Sequence, residues 1–199
     1  MLVLIYVDDI IVAAPKEAAV AEFFDKMNVA MRLKRGDTLQ EGRWTKFVGG
    51  FYQRTTEGWK TRLPASYYLT IISELGLTPA AKGVSTPATQ DQKPTTAEEK
   101  LRWDEPLSRA DAFAFRRVVG KLRFAVPWRP DLLHAVRKLS QEMSSPTFAS
   151  WTRAKRVGRY LIDTVNYELE LPVSADEPVL IKMYSDSDFA ADRESRKSV

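Results

Sequence analysis

The chain has 199 residues, of which 44% are hydrophobic, and a formal net charge of +4, so it can bury a core in one domain or two small ones. It contains no cysteine and one histidine, which excludes a disulfide framework, a thiolate zinc site and a histidine metal cluster. No stretch reaches the ~20 apolar residues of a membrane span, and the start lacks the basic segment of a signal peptide. We therefore expect a soluble, intracellular protein of the cytoplasm or nucleus, with no membrane partner and any metal held by oxygen.

The chain opens with LVLIYV and IIVAA, two segments dense in Val and Ile that are separated by Asp8 and Asp9. This pattern predicts two buried strands joined by a tight turn, with the aspartates at its tip. Apolar residues then recur at helical spacing from Lys16 to Lys34, and Gly36 is a plausible stop. The first 36 residues thus predict a hairpin followed by a helix.

A second strand pair is predicted from RWTKFVGGFYQR, a turn at TTEG, and WKTRL. Pro64 is placed to begin a short helix that ends at Gly76. We expect this helix to bury Leu69, Ile72 and Leu75. Residues 77–107 are rich in Pro, Thr and charge without a sustained period, and they predict a linker at a domain boundary.

Three helices are predicted beyond the linker, at about 108–126, 131–143 and 148–165, the first with a capping signal at Ser108. Between Ser108 and Arg159 there are twelve Lys and Arg against three acids, a net charge of +9, which indicates a polyanionic partner. On the third helix an apolar face leaves four cations outside it: Arg153, Lys155, Arg156 and Arg159. The segments YELELPV and PVLIKMYSDSDFA then predict an antiparallel strand pair that ends in acids.

The paired aspartates raise a question of charge. Two carboxylates about 5 Å apart repel by ~3 kcal/mol at an effective dielectric near 20. A divalent cation removes this repulsion, and oxygen ligands on a rigid turn suit Mg²⁺, which keeps its other positions for water and phosphates. The alternative is that Asp8 and Asp9 only favour the turn, as aspartate commonly does.

The motifs themselves carry a resemblance. YVDD between two apolar strands resembles the active-site hairpin of reverse transcriptases, and the rest of the chain resembles the Pol polyprotein of copia-type LTR retrotransposons, segment by segment and in order. FVGG is similar to the family's primer grip, LPASYYLTIISELGL to the thumb segment that follows, and STPA to the linker. The stretch from FRRVVGKLRF to RVGRYLIDT resembles the helical connection, and YSDSDFAADRESRKSV resembles the opening of an RNase H domain.

The resemblance implies a role for particular residues. Asp8 and Asp9 match the metal-binding pair of the polymerase, and Asp186 matches the first acid of the RNase H metal site, so these three are the expected catalytic residues and ligands. Asp188 is interpreted as a turn residue or an acid beside that site. The implied cofactor is a pair of Mg²⁺ or Mn²⁺ ions. Further matches are Tyr6 and Val7, which would line the primer end and nucleotide site, and Phe47, Val48, Gly49 and Gly50, which would hold the primer with close approach of a glycine backbone to phosphate.

The expected fold class is α+β, with a partial palm and primer grip followed by a helical region. The implied domains are a partial palm, primer grip and thumb start over 1–76, a linker over 77–107, a basic helical thumb and connection over 108–165, and a truncated RNase H-like start over 166–199. For Trp128 we expect a role in core or hinge packing. The cations Arg153, Lys155, Arg156 and Arg159 are expected to contact the nucleic-acid backbone, although a solvated helix face is the alternative for each.

Each of the two implied active sites is represented in part, because the family's polymerase site needs an aspartate on an earlier strand and its RNase H site needs acids from later strands. We therefore expect a reverse transcriptase fragment that is inactive in isolation. Its partners in the full enzyme would be template–primer RNA or DNA, deoxynucleotides and the rest of the Pol polyprotein. The alternatives are a non-catalytic nucleic-acid-binding or interaction module derived from a retroelement, and an orphan gene model without function.

Overall fold

The N-terminal hairpin forms as the sequence predicted, but it is not buried. In the computed structural model, which describes residues 1–36, 38–89 and 93–173, β1 (Leu2–Tyr6) pairs antiparallel with β2 (Asp9–Ala13). Every residue of β1 is exposed, Leu2 by 77% and Ile5 by 62%. The expectation of buried strands was wrong because an apolar pattern leads to burial only where another layer covers it. In the described ranges this hairpin remains a separate two-stranded sheet.

Helix α1 (Glu17–Ala30) follows the hairpin and confirms the predicted helix, although it ends four residues before Lys34. Its end is set by Met31, whose φ of −150° and ψ of 145° are extended, so the chain leaves the helix well before Gly36. The whole helix is described, and none of its side chains is fully buried. Helix α1 therefore lies outside the hydrophobic core.

A four-stranded antiparallel sheet lies next along the chain. It consists of β3 (Trp44–Phe47), β4 (Gly50–Thr55), β5 (Gly58–Arg62) and β6 (Leu169–Pro172), paired in that order. The prediction of one strand across RWTKFVGGFYQR was wrong, because Val48 and Gly49 both have positive φ and reverse the chain. Strand β6 comes from the predicted YELELPV strand and pairs with β5. Its predicted partner within 178–190 lies outside the described residues.

The helices after the sheet agree with the predicted pattern. They are α2 (Ala65–Glu74), α3 (Ala97–Arg102), α4 (Arg109–Ala125), α5 (Leu133–Gln141) and α6 (Phe148–Thr164). Two short 3₁₀ turns, Val126–Trp128 and Pro130–Leu132, separate α4 from α5 and delay its start by two residues. Helix α3 was not predicted. Its signal is local, since the Thr96 hydroxyl accepts from Glu99 N and the Glu99 carboxylate accepts from Thr95 N.

Helices α2, α4, α5 and α6 share one hydrophobic core. Phe115 and Leu122 of α4, Leu139 of α5 and Leu161 of α6 are all less than 3% exposed. On α2 the predicted burial of Ile72 and Leu75 is confirmed, but Leu69 is 41% exposed. Tyr68 and Ile71 are buried in its place, because the inward face of α2 is rotated relative to the prediction.

The segment 77–107 packs on this core and holds the start of α6. Leu77, Val84, Ala88 and Leu107 contact the core residues. The carbonyls of Trp103 and Glu105 accept hydrogen bonds from the first residues of α6, Ala149 N and Phe148 N, at 3.0 Å each. One core therefore joins the elements on the two sides of the expected linker. The assignment of these ranges to domains stays a prediction.

The structure agrees with the expected α+β class, since it mixes helices with antiparallel strands. Its match to the palm of a reverse transcriptase and to RNase H stays a prediction. Across the described residues, each helix is too short or too polar to span a bilayer.

Candidate nucleic-acid interface

The tip of the β1–β2 hairpin presents the two aspartates that the sequence singled out. Val7 and Asp8 form the turn, and Tyr6 pairs across it with Asp9, the first residue of β2. Val7 has a φ of 51°, a left-handed conformation that is uncommon for a β-branched residue. All four residues are exposed, Val7 by 83% and Tyr6 by 57%. The tip is therefore open to a ligand.

The exposure of this tip changes its electrostatics. In contact with water, two carboxylates about 5 Å apart repel by only ~1 kcal/mol, less than a buried pair would. Neither Asp8 nor Asp9 has a hydrogen-bond or ion-pair partner among the described residues. Both carboxylates are thus available as ligands. Within the same ranges, however, no cluster of three or more metal-ligating side chains forms, so the tip contributes two ligands at most.

The expected RNase H acids cannot be placed with the hairpin. Asp186 and Asp188 lie outside the described residues. Their roles stay predictions that rest on the sequence.

The segment matched to the primer grip is a tight hairpin turn between β3 and β4. Phe47 pairs with Gly50, and between them Val48 and Gly49 have φ values of 46° and 78°, as in a type I′ turn. Gly49 is exposed, whereas Gly50 is buried. A β-carbon at Gly50 would overlap the indole ring of Trp128. The structure thus explains this glycine by close packing of a tryptophan.

Helix α4 carries an exposed cationic face. Its buried residues include Phe115, Val118 and Leu122, and they lie on one side of the helix. The opposite side is exposed and follows a spacing of four and three residues: Arg109, Phe113, Arg116, Gly120 and Arg123. We call these five residues the α4 face. It contains three cations and no acid, and it extends about 21 Å along the helix axis.

Two of the four cations predicted on α6 have partners in the fold, as does Arg116 of the α4 face, which donates to the Met143 carbonyl at 2.8 Å. Arg153 forms an ion pair with Glu142 at 2.8 Å, and Arg156 donates to the Thr86 hydroxyl at 2.9 Å. Lys155 is half-buried, and Arg159 is exposed. Their contact with a nucleic-acid backbone stays a prediction.

Other cations of the basic segment form ion pairs with acids of the fold. Arg117 and Lys121 of α4 both contact the Glu74 carboxylate of α2, at 3.2 and 2.6 Å. Burial would raise the pKa of Glu74, but hydrogen bonds from Lys121 and Arg117 hold that pKa below its usual value. Arg129 is buried and pairs with Asp131. The net charge of the segment therefore overstates the charge available on its surface.

Sequence reasoning counted the cations of the α4 face but did not recognise that they form one face. The sequence contained a signal for this face, because these residues recur at helical spacing and fall between the apolar positions that the same helix buries. Trp128 was expected to pack in the core or at a hinge. Its 6% exposure agrees with packing in the core.

Comparison with known proteins identifies relatives of the chain. It is 29% identical over 189 residues to a retrovirus-related Pol polyprotein from transposon RE2 of Arabidopsis thaliana, a match that covers 95% of the chain. It is 31% identical over its whole length to the retrovirus-related Pol polyprotein from transposon TNT 1-94 of Nicotiana tabacum. The chain is related to the Pol polyproteins of retrotransposons. It spans only 12% and 14% of the length of these two relatives.

A shorter relative matches part of this Pol-related chain at higher identity. The secreted RxLR effector protein 161 of Plasmopara viticola is 46% identical over 81 residues, which cover 40% of the chain and 56% of that protein. No family model matches the chain, and no solved structure matches it.

Proposed function

We propose that this Pol-related chain is the part of a reverse transcriptase that supplies two metal ligands and a surface for the template–primer duplex. The observation that carries the proposal is the β1–β2 tip, where Asp8 and Asp9 stand exposed and without a partner among the described residues. The order of the other motifs, from FVGG to the basic helices, supports the same function. The segment from Asp186 would begin an RNase H domain.

The residues at the tip fit a divalent cation in part. Two adjacent carboxylates on a rigid turn are oxygen ligands of the kind that Mg²⁺ and Mn²⁺ take, and Asp8 and Asp9 would hold the ion. When bound, the metal would supply charge stabilisation for nucleotidyl transfer. Tyr6 and Val7 flank the pair and would limit where a primer end can lie. Because the described residues offer two ligands at most at the tip, we expect the isolated chain to be inactive as a polymerase.

Nucleic-acid binding needs fewer groups than catalysis, and the α4 face provides them. Arg109, Arg116 and Arg123 are exposed on one side of a single helix, at intervals of seven residues. Cations along a rigid helix can neutralise several phosphates of one duplex without contact with base edges. The exposed Phe113 between them, 65% accessible, offers an apolar contact to sugars. The expected binding is therefore weak, independent of base sequence and dependent on salt.

Titration of a labelled RNA–DNA hybrid with the full chain at several salt concentrations tests this function. If three phosphates are engaged, log K falls against log salt with a slope of roughly −3, because each phosphate contact contributes about −0.9. A variant with Arg109, Arg116 and Arg123 all changed to Gln should bind with a slope near zero. A matched variant that loses three exposed cations on other elements, Arg32, Arg54 and Lys82, should keep the slope of the wild type.

Two other outcomes would contradict this assignment. If the slope of log K against log salt flattens equally in the two triple variants, binding follows net charge alone. Flattening only after neutralisation of Arg153, Lys155, Arg156 and Arg159 would move the interface to α6.

A second candidate is a non-catalytic module derived from a retroelement, in which the basic helices bind and the aspartates have no catalytic role. The partial match to a protein named as a secreted effector favours it, because a segment similar to part of this chain then occurs under a name other than Pol. Assay of a longer natural transcript that contains this chain separates the two functions. Mg²⁺-dependent nucleotide incorporation supports the enzyme, and salt-dependent binding without incorporation supports the module.

A further inference from the structure

The turn between β3 and β4 packs directly on the C-terminal end of α4. A β-carbon at Gly49 would lie 3.2 Å from the ring of Phe124, and one at Gly50 would overlap the indole of Trp128. The rings of Phe124 and Trp128 are in contact with each other, with centroids 5.3 Å apart. Two consecutive glycines thus allow the turn to lie against an aromatic wall formed by Phe124 and Trp128.

This aromatic wall is itself anchored from two sides. Tyr67 of α2 packs on Phe124 with centroids 5.6 Å apart, and its hydroxyl donates to the Lys121 carbonyl of α4 at 2.9 Å. Trp128 is 6% exposed and belongs to the hydrophobic core. The wall is therefore fixed to α2 and α4, and the turn that rests on it is fixed as well.

The backbone conformation of the turn indicates what its contact with Phe124 and Trp128 stabilises. Val48 has a φ of 46°, a left-handed conformation that is strained for a β-branched residue. Contacts with neighbouring side chains help to hold a strained turn of this kind in one conformation. Phe124 and Trp128 are the side chains that close on the two residues after Val48.

We infer that Phe124 and Trp128 are positioning residues that lock the Val48–Gly49 turn to α4. The turn and the α4 face then form one rigid surface for a nucleic-acid duplex, because Phe124 follows Arg123 on α4 and Trp128 lies in the 3₁₀ turn directly after that helix. This inference rests on the proposed function for the identity of the ligand. It goes beyond that function because neither aromatic residue needs to touch nucleic acid.

Distances between spin labels on the turn hairpin and on α4 test the lock. The chain has no cysteine, so cysteines introduced at Lys46 of β3 and Ala110 of α4, both exposed, give the two labelling sites. With wild-type Phe124 we expect one narrow distance distribution. Phe124→Ala should broaden it and weaken hybrid binding by about fivefold, the cost of ordering a loosened element on binding. Phe124→Tyr, which keeps the ring, should restore the narrow distribution.

The matched control is Phe113→Ala, which removes the other exposed phenylalanine of α4, away from the turn, and should leave the distance distribution narrow. An unchanged distribution in Phe124→Ala would overturn the inference. If Phe124→Ala does not fold, as judged by circular dichroism, Trp128→Phe replaces it and should broaden the distribution in the same way. If only the proposed function fails, the wild type still shows the narrow distance distribution but does not bind the hybrid in a salt-dependent way. This result differs from failure of the lock, which shows in the distance distribution of Phe124→Ala.

Discussion

Arg129 and Asp131 form an ion pair inside the fold, with Arg129 Nη2 and Asp131 Oδ2 2.7 Å apart and the arginine side chain 2% exposed. The guanidinium also donates through Nη1 to the Thr164 carbonyl and through Nη2 to the Thr164 hydroxyl, each at 2.9 Å. Tyr160 donates to the same Asp131 oxygen at 2.9 Å. The pair thus ties the turn after α4 to both ends of the last turn of α6.

Three tyrosine rings surround the guanidinium of Arg129. The distances from its central carbon to the ring centroids of Tyr68, Tyr160 and Tyr167 are 5.5, 5.6 and 5.2 Å. Burial would lower the pKa of Arg129, but its hydrogen bonds with Asp131 raise that pKa above the usual value. The arginine therefore stays charged, and its aromatic surroundings favour the cation.

Loss of Arg129 should destabilise the protein strongly. We expect Arg129→Ala to lower the free energy of unfolding by about 2–4 kcal/mol, because it removes a buried guanidinium and leaves the Thr164 carbonyl without its arginine donor, while the carboxylate left behind on Asp131 remains in contact with water. Urea denaturation followed by circular dichroism measures this change. Arg137→Ala, which removes an exposed arginine of α5, should stay within about 0.5 kcal/mol of the wild type. Equal stability of the two variants would show that the buried pair contributes little.

Acid should weaken the same pair. Burial would raise the pKa of Asp131, but hydrogen bonds from Arg129 and Tyr160 hold that pKa below its usual value in the folded state. Its contribution to stability is therefore complete above the ordinary aspartate pKa of about 4 and is lost as pH falls towards the lower folded-state pKa. The stability difference between wild type and Asp131→Asn should accordingly shrink below pH 4. A difference that is constant from pH 7 to pH 3 would contradict this prediction.

Substitution of Gly50 should destabilise the protein because this glycine is tightly packed. The added methyl of Gly50→Ala meets the indole of Trp128 in the core, and overpacking of this kind costs about 1–3 kcal/mol. Gly120→Ala is the control, because a β-carbon there meets nothing within 4 Å and alanine favours the helix by about 0.5–1 kcal/mol. The midpoint temperature of thermal unfolding should thus fall for Gly50→Ala and rise for Gly120→Ala. A neutral Gly50→Ala would argue against the contact with Trp128.

The hairpin aspartates should matter for activity and not for folding. In a longer polyprotein that carries the remaining ligands, Asp8→Asn should abolish Mg²⁺-dependent incorporation of nucleotide into a primed template. It should leave the unfolding transition of this chain unchanged within about 0.5 kcal/mol, because the residue is exposed and lacks a partner among the described residues. Asp25→Asn on α1 is the matched control. Retained incorporation in Asp8→Asn would refute the assigned role, and incorporation by this chain alone would refute its expected inactivity in isolation.

Local signals in the sequence determined much of the secondary structure. The spacing of apolar residues predicted α1, α2, α4, α5 and α6, and the caps at Ser108 and Thr147 set where α4 and α6 begin. The β1–β2 hairpin followed from two apolar runs around a two-residue turn. These features depend on residues within a few positions of one another, so a single sequence contains the information that they need.

Tertiary structure alone decided which surfaces meet. The sequence counted Arg129 among the twelve cations of the basic segment without indicating its burial, which long-range packing against Tyr68 and Tyr160 produces. Strand β6 pairs with β5, more than 100 residues earlier, and a strand's own residues do not specify its neighbour. The exposure of β1 also depends on what covers it and not on its composition. Burial and pairing are set by contacts between distant segments, and no local pattern contains them.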